Sequence, residues 1–247
     1  MFRKILFTLT IITLVSCVAL PAAGQEIGND AEVIKEYIDS KFDAAKIAIL
    51  TTLGKNMIQR RINALSTGQN LLAKARLVSE DLKNVLNDEI EDTITNLSTL
   101  KDSIDSEEDL EALKSKVESI VVNYRVYLVQ LPKAHGLAVI SHYRTISTKL
   151  DEIIEKLSDK VDELGLSDEG AIEDAKALIS SASSKLKQAE DKFEEMQIEW
   201  PAQATTLNLE ARELIIGAKG DLHEAFIKLK EAISNIQESA ETEEDEE

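Results

Sequence analysis

Apolar residues recur every three to four positions along most of the chain, which is the period of an amphipathic helix. One such segment runs from Asn29 to about Leu77, and a second begins after Ser79, whose side chain can cap a helix. Asp105 and Ser106 are predicted to close the second segment, and Ser106 with the acidic residues after it predicts the start of a third helix. Turns as short as these place consecutive helices side by side in opposite directions.

The third apolar pattern runs from Leu110 to Leu164 and is interrupted only by Pro132. Proline has no amide hydrogen and clashes with the preceding turn, so it kinks or breaks a helix. Because the pattern keeps nearly the same phase on both sides of Pro132, we predict one long, kinked helix. The segment Ile120–Leu131 is rich in Val and Tyr, but the chain has no second run of this kind to pair with it, and helix is favoured over strand.

Two heptad patterns follow Gly165, which suits the left-handed position after a helix. Ser167 is predicted to cap the fourth helix and Pro201 to end it. Alanine at every seventh position lets two backbones approach closely, so the patterns predict an antiparallel coiled-coil hairpin with an alanine seam. The positions are Ile172, Ile179, Leu186, Phe193 and Trp200 with Ala175, Ala182 and Ala189 in the fourth helix, and Ile215, Leu222, Leu229 and Ile236 with Ala211, Ala218, Ala225 and Ala232 in the fifth.

These patterns together predict an all-α protein, an elongated bundle of about five long antiparallel helices. The chain has only 9 Gly and 3 Pro, fewer than a sheet fold with many tight turns would need. The predicted divisions are an export signal at 1–24, a three-helix elongated bundle with a kink at Pro132 at 25–165, an antiparallel helical hairpin at 166–238 and a disordered acidic tail at 239–247.

The first residues of the chain are typical of an export signal. Arg3 and Lys4 precede an apolar run, and Pro21–Gly24 offers small residues for cleavage. The segment Leu14–Cys17 resembles the lipobox of bacterial lipoproteins, in which the cysteine becomes the lipidated first residue. Two outcomes stay open, which are cleavage near the small residues and a lipid anchor at Cys17. In both cases we expect a secreted or cell-envelope protein outside the cytoplasm, with no membrane-spanning helix.

The acidic composition argues against nucleic acid as a partner. The formal net charge is −18, from 28 Lys and Arg against 46 Asp and Glu. Nucleic-acid binding needs clustered basic side chains, and the tightest basic cluster is the pair Arg60 and Arg61. Cys17 is the only cysteine, so we expect the mature chain to be held together by helix packing without a disulfide.

The sequence offers no arrangement typical of catalysis or metal binding. His135 and His142 are two helical turns apart, which separates their side chains by about 10 Å, too far to share one metal ion. His223 is not part of a His-Glu-x-x-His motif. We therefore expect no enzymatic activity, no cofactor and no metal.

One mid-chain patch around Pro132 combines aromatic, arginine and histidine side chains. Tyrosine and arginine are enriched at the centres of protein–protein contacts, which makes the patch a candidate interaction surface. The alternative is that these side chains pack locally around the proline. The candidate residues are Tyr124, Arg125, Tyr127, His135, His142, Tyr143 and Arg144. We expect the partner to be a protein, to which the sequence assigns no identity.

The same region carries a family resemblance. The segment Leu97–Asp105, followed by Asn123–Tyr127 and Pro132, resembles a family of uncharacterised exported helical proteins, found mainly in candidate-phyla bacteria. Their mid-chain signature is Tyr-Arg-(Ile/Val)-Tyr…Pro, and the similarity covers most of the mature chain. The resemblance implies export and an all-helical fold, and it carries over no activity, cofactor or binding residue.

These expectations lead to one functional hypothesis and one alternative. The hypothesis is an exported, non-enzymatic helical protein that serves as a structural or protein-interaction element of the cell envelope. The alternative is an envelope lipoprotein, anchored through Cys17, that acts as an adaptor or helper.

Overall fold

A computed structural model describes residues 43–124, 126, 128–165, 170–197 and 200–244, and their regular secondary structure is entirely helical. The all-α prediction is therefore confirmed. Six helices lie in this part of the chain, where about five were expected. They are α1 (Asp43–Lys74), α2 (Glu80–Asp105), α3 (Leu110–Asn123), α4 (Gln130–Leu164), α5 (Gly170–Glu195) and α6 (Pro201–Glu244). The predicted export signal with Cys17 and the predicted start of the first helix lie outside the described residues.

Helix α2 begins where the sequence predicts. The Ser79 side chain accepts a hydrogen bond from the Leu82 amide at 3.3 Å, which satisfies one of the free amides of the first turn. Glu80 and Asp81 follow in that turn, where negative charge is favoured by the helix dipole.

The predicted start of the third helix at Ser106 is wrong. Ser106 instead caps the end of α2, since its amide and hydroxyl both donate to the Asp102 carbonyl. Helix α3 is capped by Asp109, whose side chain accepts from the Ala112 amide at 2.7 Å. Ser106 and Asp109 can both cap a helix, and Asp109 is the one that caps α3.

The single kinked helix predicted through Pro132 is also wrong, because the chain forms two helices there. Helix α3 ends at Asn123, and α4 begins at Gln130. Pro132 lies in the first turn of α4, where amides have no carbonyl partner within the helix and proline removes no helical hydrogen bond. The apolar pattern keeps its phase because Val126 and Val129, between the two helices, are buried in the same core.

The ends of the last helices follow the prediction in part. Gly165 has φ 64°, the left-handed conformation predicted for it, and it ends α4. Ser167, the predicted cap of the next helix, lies outside the described residues. The predicted end at Pro201 is wrong, because α5 stops at Glu195 and Pro201 is the first residue of α6. Proline suits that position, since its ring presets the helical φ.

Almost all predicted heptad positions of α5 and α6 are buried. Trp200 is the exception, because it lies between the two helices and is 61% exposed. Among the described helices, α5 and α6 make the most extensive contact. Three ion pairs join them, and residues later in α5 pair with residues earlier in α6. The pairs are Lys192–Glu210 at 2.9 Å, Lys185–Asp221 at 2.6 Å and Lys228–Asp174 at 3.7 Å.

Helix α4 is the central element of the described helices, since it packs against α1, α2, α5 and α6. The segment 25–165, predicted as three helices, contains four in its described part, α1 to α4. Helix α6 extends to Glu244 and so overlaps the tail predicted to be disordered from residue 239. A helix already fixed by buried residues such as Ile236 adds further turns at little cost, and glutamate is a good helix former.

None of the helices in the described part of the chain is long and apolar enough to span a bilayer.

Candidate functional site

The predicted interaction surface is only partly a surface. Arg125 and Tyr127 lie outside the described residues. Tyr124 caps the end of α3 and is half-buried against the core. The remaining candidates lie on α4, where their environments differ widely. They are His135, His142, Tyr143 and Arg144.

Arg144 holds three segments of the chain together. Its Nη1 donates to the Leu77 carbonyl at 2.7 Å, and its Nη2 donates to Oε2 of Glu190 on α5 at 2.9 Å. The other oxygen of Glu190 accepts from the Ser79 amide at 2.9 Å. Ser141 on α4 accepts from the Leu77 amide at 3.1 Å. The connection between α1 and α2 is thereby fixed to both α4 and α5, and we call these five residues the polar clasp.

Glu190 is 3% exposed, yet it stays a carboxylate within the polar clasp. Burial by itself raises the pKa of Glu190. The hydrogen bonds from Arg144 and from the Ser79 amide, together with the positive charges of Arg144 and Lys187, outweigh burial and leave the pKa of Glu190 below its ordinary value. The clasp residues are therefore occupied in joining helices.

The two histidines of the predicted surface are half-buried on α4. Burial lowers the pKa of His135. Burial also lowers the pKa of His142, with a smaller effect from the charge of Lys149. The His142 ring lies 5.5 Å from the Tyr143 ring, and its buried Nε2 has no hydrogen-bond partner among the described residues. Both side chains are therefore biased toward neutral imidazole.

A groove of about 480 Å³ opens between α2, the start of α4 and the end of α5. Its walls combine apolar and acidic side chains. The apolar ones are Leu82, Val85, Val129 and Met196, and the acidic ones are Asp81, Glu89 and Glu194. One wall is fixed by Gln130, whose side-chain amide donates to the Glu89 carbonyl at 3.1 Å and to the Thr93 hydroxyl at 2.8 Å.

Lys133 is the one cationic residue that lines this groove, within the part of the chain described. Only 6% of the residue is exposed. Burial lowers the pKa of Lys133, and the negative charges of Glu89 and Glu194 act in the opposite direction. None of the carboxylates of the described residues lies within 4.0 Å of its Nζ. The ammonium thus lies in a groove between acids that influence it without direct contact.

Sequence reasoning missed Lys133 and Glu190, although a signal was present. Lys133 is in phase with the buried positions Leu137 and Ile140, and Glu190 is in phase with Leu186 and Phe193. Burying a charged side chain on the apolar face of a helix costs free energy unless the charge is paired or hydrogen-bonded. Such positions mark polar contacts or ligand sites in the interior.

Among the described residues, no group of three His, Cys, Asp or Glu side chains is placed to hold a metal ion. Comparison with family models, curated proteins and solved structures gives no match for this chain.

Proposed function

We propose that this is an exported, non-enzymatic helical protein that serves as a structural or protein-interaction element of the cell envelope. The observation that carries the proposal is an exposed apolar patch at the end of α3. Val121 and Val122 are adjacent in sequence and are 56% and 58% exposed, and Leu128, in the connection to α4, is 43% exposed. Adjacent exposed apolar side chains are typical of surfaces that contact other proteins. The patch flanks Tyr124, a residue of the signature on which the family resemblance depends.

The use of the polar side chains also supports this proposal. Arg144, Glu190 and Ser141 join helices to each other, which is a structural role. In the proposed architecture, α5 and α6 form an antiparallel, left-handed coiled-coil hairpin with an alanine seam, and the whole bundle is elongated. The reversed order of the ion pairs between α5 and α6 supports the hairpin.

A binding experiment on native envelopes tests the interaction surface. The full chain carrying Val121→Ser and Val122→Ser should lose a partner that cross-links to the unchanged chain. The matched control is Leu209→Ser on α6, which removes an equally exposed apolar side chain elsewhere. If the patch variant and the control capture the same partners equally, the patch has no role in binding.

The lipoprotein alternative follows from Leu14–Cys17. Mass spectrometry of the mature N-terminus distinguishes the two forms. A diacylglyceryl group on Cys17, lost in Cys17→Ala, would support the anchored adaptor, and an unmodified N-terminus near Gln25 would support simple export. A mature protein that retains the whole leader would contradict both.

A further inference from the structure

The groove between α2, α4 and α5 contains charges of both signs in one cavity. Lys133 contributes an ammonium at the end of a largely buried side chain, and Glu89 on α2 and Glu194 on α5 contribute carboxylates. None of the described carboxylates is within 4.0 Å of the Lys133 Nζ, so none of them forms an ion pair that a bound molecule would have to replace. The volume of about 480 Å³ is within the range of about 300–1,000 Å³ that is usual for small-molecule sites.

The charge pattern decides between classes of ligand. A simple anion would be attracted by Lys133 but repelled by Asp81, Glu89 and Glu194, which together outnumber the single cation. A simple cation would be attracted by these acids but repelled by the ammonium of Lys133, which lines the same groove. A molecule with one negative and one positive group gains both attractions.

The apolar walls add a second requirement. Leu82, Val129 and Met196 are buried residues whose side chains line the groove, and Val85 lies at its exposed edge. A bound molecule gains free energy by covering this apolar surface, roughly in proportion to the area removed from water. The pattern therefore favours a zwitterion with an aliphatic side chain over a small polar one.

We propose that this groove binds a small zwitterion with an aliphatic side chain, of which a free aliphatic α-amino acid is the simplest example. Its carboxylate contacts the Lys133 ammonium, and its ammonium contacts Glu89 or Glu194. Its side chain lies against Leu82 and Met196. Charge-assisted hydrogen bonds of this kind are the strong ones, because both partners are ionised. The inference is independent of the apolar patch at the end of α3.

Calorimetric titration of the full chain with three related ligands tests the proposal. Leucine carries both charges, N-acetyl-leucine keeps only the carboxylate, and leucinamide keeps only the ammonium. We expect leucine to bind about tenfold or more tightly than either single-charge analogue, since each analogue loses one charge-assisted contact. Equal binding of N-acetyl-leucine would show an anion site and overturn the proposal, and equal binding of leucinamide would show a cation site and do the same.

Variants assign the binding to the groove. Lys133→Met keeps the length of the side chain without its charge and should reduce leucine binding about tenfold or more, at an unchanged or higher melting temperature. The matched control, Lys176→Met, removes a surface lysine of α5 that pairs with Glu173, and it should bind leucine as the unchanged chain does. Failure of the folded, unchanged chain to bind leucine at millimolar concentration, or full binding by Lys133→Met, would overturn the proposal.

Discussion

Gly136 on α4 lies directly against the aromatic ring of Phe193 on α5. A Cβ at Gly136 would overlap the ring atoms Cε1, Cε2 and Cζ of Phe193. Phe193 is among the largest fully buried side chains of the described residues. The ring fills the space that a side chain at Gly136 would need, so this contact sets how closely α4 and α5 approach.

We expect Gly136→Ala to destabilise the protein by about 1–3 kcal/mol through overpacking, despite a gain of about 1 kcal/mol in helix propensity. Urea unfolding measures the change. Gly220→Ala on α6 is the matched control, because nothing lies within 4 Å of a Cβ there, and it should stabilise the chain by about 0.5–1 kcal/mol. If both variants are stabilised alike, the ring of Phe193 is not packed on Gly136.

Glu190→Gln tests the polar clasp. The variant keeps the size of the side chain but removes the charge that faces Arg144, so we expect it to lose about 1.5–3 kcal/mol at pH 7. The pKa of Glu190 is lowered in the folded chain, so its contribution is complete above the ordinary carboxyl pKa of about 4.3 and is lost as the pH falls through the lowered folded value. The variant should therefore show a shallower loss of stability in acid.

The control for the clasp is Glu173→Gln, which removes one partner of the exposed pair with Lys176. Exposed pairs of this kind contribute about 0–1 kcal/mol. Unfolding midpoints measured from pH 7 to pH 3 compare the two variants. An equal effect of both substitutions would contradict a structural role for the clasp.

The half-buried histidines predict a second pH dependence, at higher pH. Burial lowers the pKa of His135 and of His142, so below about pH 6.5 the unfolded chain binds more protons than the folded one. Stability should therefore fall as the pH drops through this value toward the lowered folded pKa values. In the double variant His135→Gln, His142→Gln, the loss of stability between pH 7.5 and pH 5.5 should be smaller than in the unchanged chain, as measured by urea unfolding at each pH. His223→Gln, at an exposed position of α6, is the control and should leave the fall unchanged.

Local signals account for the part of the fold that the sequence predicted. The cap at Ser79, the left-handed Gly165 and the heptads of α5 and α6 depend on nearby residues or on a strict period, and the structure agrees with them. The break before Pro132 could not be predicted in this way. Proline is compatible with both a kink and a first turn, and what decides is the burial of Val126 and Val129 in the common core.

The candidate site was predicted less well, for a related physical reason. Arg144 was identified by residue type, but its partners Leu77 and Glu190 are far away in the chain. They come together only because α4 packs against α5 and against the connection between α1 and α2. Residue types can suggest that a region contacts a partner. Whether those side chains lie at the surface or in the interior depends on long-range packing, which the helical period of the sequence does not determine.

The proposed alanine seam makes the proposed hairpin of α5 and α6 testable. Ala182 and Ala218 have no exposed surface, and each belongs to a seven-residue series of alanines. Replacing either by leucine inserts a larger side chain between closely packed helices, so we expect a loss of about 1–3 kcal/mol in the free energy of unfolding. Alanine and leucine have similar helix propensities, so a loss of this size must come from packing.

Ser184→Leu is the matched control for the seam, since Ser184 is exposed on the same helix as Ala182. It should change stability by less than about 0.5 kcal/mol, because leucine there meets solvent and no neighbouring backbone. We also expect the double variant Ala182→Leu, Ala218→Leu to lose less free energy of unfolding than the sum of the two single losses. This holds if both side chains enter the same space between α5 and α6, because the helices then move apart only once. Seam variants as mild as Ser184→Leu would show that α5 and α6 are not closely apposed, and the alanines would then act only as helix formers.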